Sequence, residues 1–541
     1  MLVSDSVHER KALGDDRGRR QIVFDLLALL ICLASLGCSW VESMVNVDNM
    51  HWGWAYLTAL DVKRGAIPHA EVLIAYGYLY TFIQSIALRL FGERLISIGI
   101  ITGLFYASSL FLSYRIFIRF MSRPLALAAE LLMFLVHPYM IYPASNYMMY
   151  TFELLALIFF IRYSEKKYYG FLAGLFLGLS VLCRYSSVVA VVPPFIVLLC
   201  RQYFHERKTL ATKAVAEKIR LVSAGFVLPL LIFMIYLALN SALDDFVRQN
   251  EVIVKFIGRG NDIRTYLNFL ACVFQVEESL ASDFRGKLFT VVLFICLWGI
   301  AKSLMAEFKH GATETLLFDE TVFAVCVVAV FNYLNAVHVY ETYRLANGAS
   351  LGFGACIFVL NGCFERSGKV VKSILVAILL VVLWGLSSTL LFQKTTSAYY
   401  PWNKEILFGK GIENNKIKIF KGKLLSKACN DFYQEVFDVL KPFENKFYVL
   451  NYTWDSVAAA INDLPRVQIS PYDAVGVDDL SKQEKLIEEK RAVVLSYKKL
   501  DFPGYKIIFA KQWPDEIPWL GGGFLFVSVP QEPSGERLHG R

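Results

Sequence analysis

From Ile22 to Phe392 the chain is a succession of apolar runs, most of them close to the roughly 20 residues a helix needs to cross the hydrocarbon core of a bilayer. Nine runs read directly as spans: 22–41, 95–114, 124–140, 150–161, 219–240, 288–305, 316–337, 345–363 and 371–393. Two stretches are ambiguous, and charge decides both. If 73–92 spanned, the basic cluster at 115–123 would lie opposite the basic N-terminus, against the positive-inside rule, so it is read as lying along the outer surface or as a shallow re-entrant segment. The stretch 168–200 is too long for one helix and is read as a hairpin turning at Arg184–Ser187, with Pro193 and Pro194 also interrupting any continuous helix. The expected fold is a polytopic α-helical membrane protein of about eleven transmembrane helices. Residues 1–21 form a cytoplasmic tail, 22–393 the membrane domain, and 42–94 a first external loop with juxtamembrane helices.

In this threading the cytoplasmic segments carry 22 Lys and Arg in 73 residues and the external ones 12 in 119, which puts the N-terminus inside and the C-terminus outside. Only 19% of residues are charged, against about 25% in an average soluble domain. The net charge of +8 is spread over short clusters between apolar runs, so it points to membrane loops, with no nucleic acid as partner. The ten cysteines are scattered, most within apolar stretches, and suggest neither a disulfide framework nor a zinc site. Beyond residue 393 the pattern changes. Segments 447–453, 491–497, 505–510 and 523–529 read as short strands and 434–441, 454–462 and 480–489 as helices, giving a small soluble α/β domain over 394–529 on the external face. A disordered tail is expected over 530–541.

Polar residues gathered at one face of such a bundle are functional candidates. The first loop supplies Asp48, His51 and Glu71, the second Asn146 and Tyr147, the hairpin turn Arg184, and the loop 338–346 His338, Tyr343 and Arg344. Asp48 reads either as a general base or as the N-cap of a helix starting near Met50. An arginine inside an apolar hairpin costs about 2.5–3.5 kcal/mol on insertion scales unless it snorkels or pairs. Arg184 therefore either snorkels to headgroups or binds an anion such as a lipid phosphate. Arg344 has the same two readings and could pair with Glu341 three residues earlier. His51, His137 and His338 match no metal-ligand spacing.

The order of residues in the first loop resembles that of polyprenyl-phosphate-sugar-dependent glycosyltransferases of the C-type membrane fold, the clan of protein mannosyltransferases and lipid A aminoarabinose transferases. The shared pieces are Asp48 after helix one, the RGAIP segment at 64–68, Glu71, Tyr76-Gly77 and Phe91-Gly92. Residues 173–189, AGLFLGLSVLCRYSSVV, are similar to the family's GLxLGLAxLTK hairpin, with Arg184 at its basic position. The resemblance implies a sugar transferred from a polyprenyl-phosphate donor to an acceptor hydroxyl of a glycan, lipid or protein. In that reading Asp48 is the catalytic base, and Arg184 and Arg344 contact the lipid phosphate. No cofactor follows from it with certainty. A divalent metal is a further option, although Asn49 stands where many relatives carry a second acid, and Glu153 is the nearest acid to the second loop. Localisation in a bacterial inner membrane is expected. The rival readings are a transporter or lipid flippase, and an inactive scaffold relative.

Overall fold

The computed structural model describes residues 4–45, 48–136, 143–206, 212–258, 263–279, 282–310, 320–392, 406–444, 446–470, 478–517 and 520–531. His137 and nearly all of the expected tail at 530–541 lie outside them. Helix α1 (Ser4–Val45) is followed by two short helices, α2 (Asn49–Lys63) and α3 (Tyr78–Leu90), before α4 (Leu95–Phe117). The bundle continues with α5 (Arg123–Leu135), α6 (Ser145–Ile161), α7 (Tyr168–Cys183), α8 (Val188–Glu206) and α9 (Thr212–Leu239). Then come α10 (Leu243–Gly258), α11 (Ile263–Val273), α12 (Phe284–His310), α13 (Glu320–Asn332), the single turn α14 (Thr342–Ala346), α15 (Gly352–Arg366) and α16 (Lys369–Phe392).

Among the described residues six helical segments are long and apolar enough to cross a membrane: Gln21–Val45, Leu95–Phe117, Tyr185–Phe204, Lys213–Leu239, Phe284–Met305 and Lys369–Ser388. The other five expected spans correspond to α5, α6, α7, α13 and α15, which are 13–17 residues long. The 73–92 stretch yields only the 13-residue α3. Between α7 and α8 the helix breaks at Arg184, where the backbone turns extended (φ −153°, ψ 99°) before one 3₁₀ turn. One expectation is overturned: α8 runs unbroken through Pro193 and Pro194. The prolines fall near its start, between Ala190, Val191 and Phe195, all buried against the bundle. In a membrane helix such neighbours supply the packing that tolerates a lost backbone bond.

Close helix approach is built on glycine. A Cβ on Gly174 would meet the Val222 carbonyl oxygen at 1.9 Å, and one on Gly225 would meet the Phe171 carbonyl oxygen at 2.0 Å. The backbones of α7 and α9 thus touch, the small-residue packing that substitutes for hydrophobic drive in lipid. Gly174→Leu should therefore separate the pair and lower stability by at least the ~1–3 kcal/mol typical of overpacking, read as a lower Tm in detergent.

The C-terminal domain holds a two-stranded ladder of β1 (Ile412–Glu413) and β2 (Leu424–Leu425), then α17 (Lys427–Leu440). A four-stranded sheet follows, from β3 (Tyr448–Tyr452), β4 (Ala492–Ser496), β5 (Tyr505–Gln512) and β6 (Phe524–Pro530), with α18 (Ser456–Ala460) and α19 (Leu480–Glu488) inserted after β3. The order is β3-β4-β6-β5, with β3 and β4 parallel and the rest antiparallel. Its apolar core does not close on itself. Trp52, Tyr56, Leu60, Leu88, Leu95 and Ile98 from the membrane domain share one cluster with Phe432, Val457, Val493 and Trp513. Gly53 lets α2 meet α18, since a Cβ there would lie 2.5 Å from the Val457 nitrogen.

Ion pairs tie the same junction: Arg64 to Asp463 at 2.6 Å, Arg466 to Asp61, and Glu93 to both Lys63 and Lys418. The two ammonium groups, Lys418 foremost, hold the Glu93 carboxyl down at about 2. Because that value lies below the unfolded one, the contribution is complete above about pH 4.5 and is lost as pH falls toward 2. Glu93→Gln should flatten this acid sensitivity, measured as Tm against pH between 2 and 5.

Candidate active site at the α1–α2 junction

Asp48 sits where the chain leaves α1 and enters α2, and it caps α2: its Oδ1 accepts from the His51 amide at 3.0 Å. Its second oxygen, Oδ2, lies 2.7 Å from Nδ1 of the His51 ring. The two sequence readings of Asp48 therefore coincide, because the cap is also what aligns the carboxylate with the imidazole. Asp48 is 1% exposed. His51 lies beside it, on the wall of a small, partly open cavity shared with Trp54, Leu73, Tyr76, Tyr80 and Pro143.

Tyr76 connects this cavity to the arginines. Its ring lies 5.7 Å from that of Trp54, and the Arg184 guanidinium stands over its other surroundings at 5.3 Å from the ring centroid. Arg184 does not snorkel outward. It is buried, and Nη1 donates to Ser145 Oγ at 3.2 Å and to Asn146 Oδ1 at 3.0 Å, at the start of α6. Position follows from sequence here: Gly77 lets its chain touch the end of α7, since a Cβ would lie 2.3 Å from the Leu182 carbonyl oxygen. The Tyr185 amide donates to the Tyr76 carbonyl at 2.8 Å.

Arg344 pairs with Glu341 at 2.5 Å. Burial works against its charge, but Tyr343 and Glu341 outweigh that and hold the guanidinium above its ordinary value. His338 is exposed, and its imidazole is pushed below its ordinary value by partial burial and then by the charges of Arg344 and Arg184. Two buried polar atoms nearby have no hydrogen-bond partner: Asn146 Nδ2, a donor, and Glu341 Oε1, an acceptor.

The structure thus brings Asp48, His51, Arg184 and Asn146 together around Tyr76, while Tyr343 is buried beside Arg344 on the 338–346 segment that also carries His338. Two candidates stand apart. Glu71 is exposed and accepts from the Ile67 amide at 2.9 Å, closing its own loop. Tyr147 is fully buried in the bundle, edge-on to Tyr106 at 5.5 Å. Glu153 is buried in α6, accepting from Asn332 Nδ2 at 3.0 and 3.1 Å. Asn332 is joined to the hairpin turn through Asn335 and Ser187 at 2.9 Å each. Among the described residues no group of three or more His, Cys, Asp or Glu side chains could hold a metal ion. Asn49, which replaces the second acid, turns away and donates to the Tyr433 hydroxyl of the C-terminal domain.

Two residues of this region escaped the sequence reading of the site. Tyr76 was visible only as half of a Tyr-Gly pair. Lys423 comes from a part of the chain with no motif, yet its Nζ donates to the Ser43 carbonyl at 2.9 Å and lies 4.8 Å from the centre of the Trp52 ring.

Residues 77–239 match the model of the family described as dolichyl-phosphate-mannose-protein mannosyltransferase. No curated protein matches the sequence. Among solved structures, ArnT from Cupriavidus metallidurans bound to undecaprenyl phosphate superposes with a TM-score of 0.53 at 11% identity, over 95% of this chain and 99% of that one. The Archaeoglobus fulgidus oligosaccharyltransferase tethered with an acceptor peptide aligns with a TM-score of 0.48 at 11% identity, over 87% of this chain and 69% of that one. This chain thus shares the membrane-protein fold of the ArnT structure, and within it residues 77–239 carry the pattern of that mannosyltransferase family.

Proposed function

We propose that this protein transfers a sugar from a polyprenyl-phosphate donor to an acceptor hydroxyl of a glycan, lipid or protein, at the external face of a bacterial inner membrane. The observation that carries the reading is the joining of an Asp48–His51 pair to the buried Arg184 through one cavity wall, that of Tyr76. In a single displacement the acceptor oxygen attacks the anomeric carbon as the bond to the carrier phosphate breaks. Asp48 takes the acceptor proton, and Arg184 with Arg344 stabilises the negative charge that develops on the leaving phosphate. The configuration at the anomeric carbon inverts.

Support comes from position. The Asn146 amide nitrogen is an unused donor beside Arg184, suited to a phosphate oxygen, and the aromatic walls of the cavity suit an apolar carrier and a sugar face. A second reading rests on one specific fact: His51, not Asp48, lines the cavity. His51 would then accept the acceptor proton, with Asp48 orienting the ring and balancing the imidazolium, as in other carboxylate–histidine pairs.

Purified protein in liposomes containing radiolabelled polyprenyl-phosphate sugars tests the function. Movement of label from lipid to a host-derived acceptor fraction supports it. Label that only crosses the bilayer, still attached to its carrier, would replace transfer by lipid translocation. His51→Gln separates the two readings: a loss as deep as that of Asp48→Asn identifies the pair as the base, and a loss of about tenfold or less identifies Asp48 alone.

A further inference from the structure

The C-terminal domain sends one charged side chain under the candidate active site. Lys423 follows Gly422, whose φ of +86° allows the tight turn out of the β1–β2 connection that a residue with a Cβ would resist. The lysine is 1% exposed. Its Nζ donates to the Ser43 carbonyl in the last turn of α1, one of the carbonyls that a helix end leaves without an internal partner. The ammonium also stands over Trp52, one of the residues that α2 contributes to the core shared with the C-terminal domain. Lys423 therefore touches both helices that flank Asp48, while the carboxylate itself is nearly as buried as the lysine.

We infer that Lys423 is a positioning residue for Asp48, an ammonium supplied by the C-terminal domain that balances the buried carboxylate and pins the end of α1 against α2. The inference rests on the reading of Asp48 as the proton acceptor. It assigns the C-terminal domain a part in the reaction: the domain adds a second cationic neighbour to an acid already paired with His51. Burial brings the Lys423 ammonium down to about 7, with the Asp48 carboxylate as the opposing influence. Most of its other charged surroundings are committed elsewhere. On α2, His51 is paired with Asp48. In its own domain, Glu413 accepts from the Gly422 amide at 3.2 Å and Lys418 is bound to Glu93. At the start of α4, Arg94 Nε donates to the Phe91 carbonyl. On α1, Glu42 is buried one residue before Ser43.

An opposite charge close to a buried acid favours its ionised form by about 1–3 pH units. Full-length Lys423→Met protein should thus lose at least about tenfold in kcat at neutral pH, with donor KM unchanged and the acidic limb of its pH–rate profile moved up by about a unit or more. Lys423→Gln, which can still donate to Ser43, should show the same displaced limb, and Lys423→Arg should restore both rate and limb. A folded Met or Gln variant whose acidic limb stays in place overturns the inference. If the Met protein does not fold, the Gln variant decides alone in the same way. Failure here, with Asp48→Asn still inactive, removes only the role of Lys423. Wild-type protein that transfers no sugar removes the functional reading beneath it.

Discussion

Asp48→Asn should lower kcat by about 10²–10⁴-fold, the range that a positioned general base contributes. The substitution isolates chemistry from folding. Asparagine caps helices as well as aspartate does, so α2 keeps its N-terminal hydrogen bond to the His51 amide. Its volume is the same, and the residue is buried where shape matters. What disappears is the negative charge facing the His51 ring and the capacity to take a proton. Donor KM should stay within about threefold, because the phosphate is assigned to arginines on other elements. Initial rates with labelled donor, normalised to folded protein from size-exclusion profiles, provide the measurement. A variant within about threefold of wild type in kcat would remove Asp48 from the chemistry and leave it as a helix cap.

Much of this architecture could be read from residue order because membrane burial acts locally. A run such as Ile22–Val41 has nowhere else to go, and an arginine at 184 inside an apolar stretch announces a break. The hairpin turn was legible for that reason, and the short apolar and aromatic runs at 448–452 and 492–496 announced strands. Helix length was less so. Segments such as 345–363 look long enough to span, but α15 starts only at Gly352 after a separate turn that carries Arg344. Hydropathy averages over that turn, whereas backbone geometry does not. The two prolines in α8 misled for a related reason: their cost depends on neighbours that sequence order does not show.

The site divides along the same line. Asp48, Arg184 and Arg344 stood out because each is a charge in an apolar setting, which is a local signal. The partners that give them meaning are distant in the chain. Asn146 meets Arg184 across 38 residues and Lys423 meets Ser43 across 380. Glu71 and Tyr147 show the converse: both sit in suggestive segments, and in the fold one closes its own turn and the other is buried in the bundle. The seat of the C-terminal domain on α2 was invisible for want of any local cue, since an amphipathic helix face does not name what covers it.

Arg184→Met should lower kcat/KM for the lipid donor by about 10²–10³-fold, the loss seen when one donor to a developing anion is removed. Methionine keeps most of the volume and remains at ease in an apolar hairpin, so the α7–α8 break should survive. The charge and the fork of N–H groups are lost, and Asn146 Oδ1 and Ser145 Oγ lose their shared donor. Arg184→Lys restores the charge without the planar fork, so it should recover only part of the rate. The effect should fall on both terms: KM rises because the carrier phosphate is held less firmly before reaction, and kcat falls because the departing phosphate gathers charge. Titrating donor in detergent micelles, with acceptor saturating, separates them. If Arg184 served only to plug the turn, Met and Lys would both lower Tm and leave KM where it was. Because the guanidinium is turned inward, toward α6 and Tyr76, rather than outward to the headgroups, the kinetic result is the expected one.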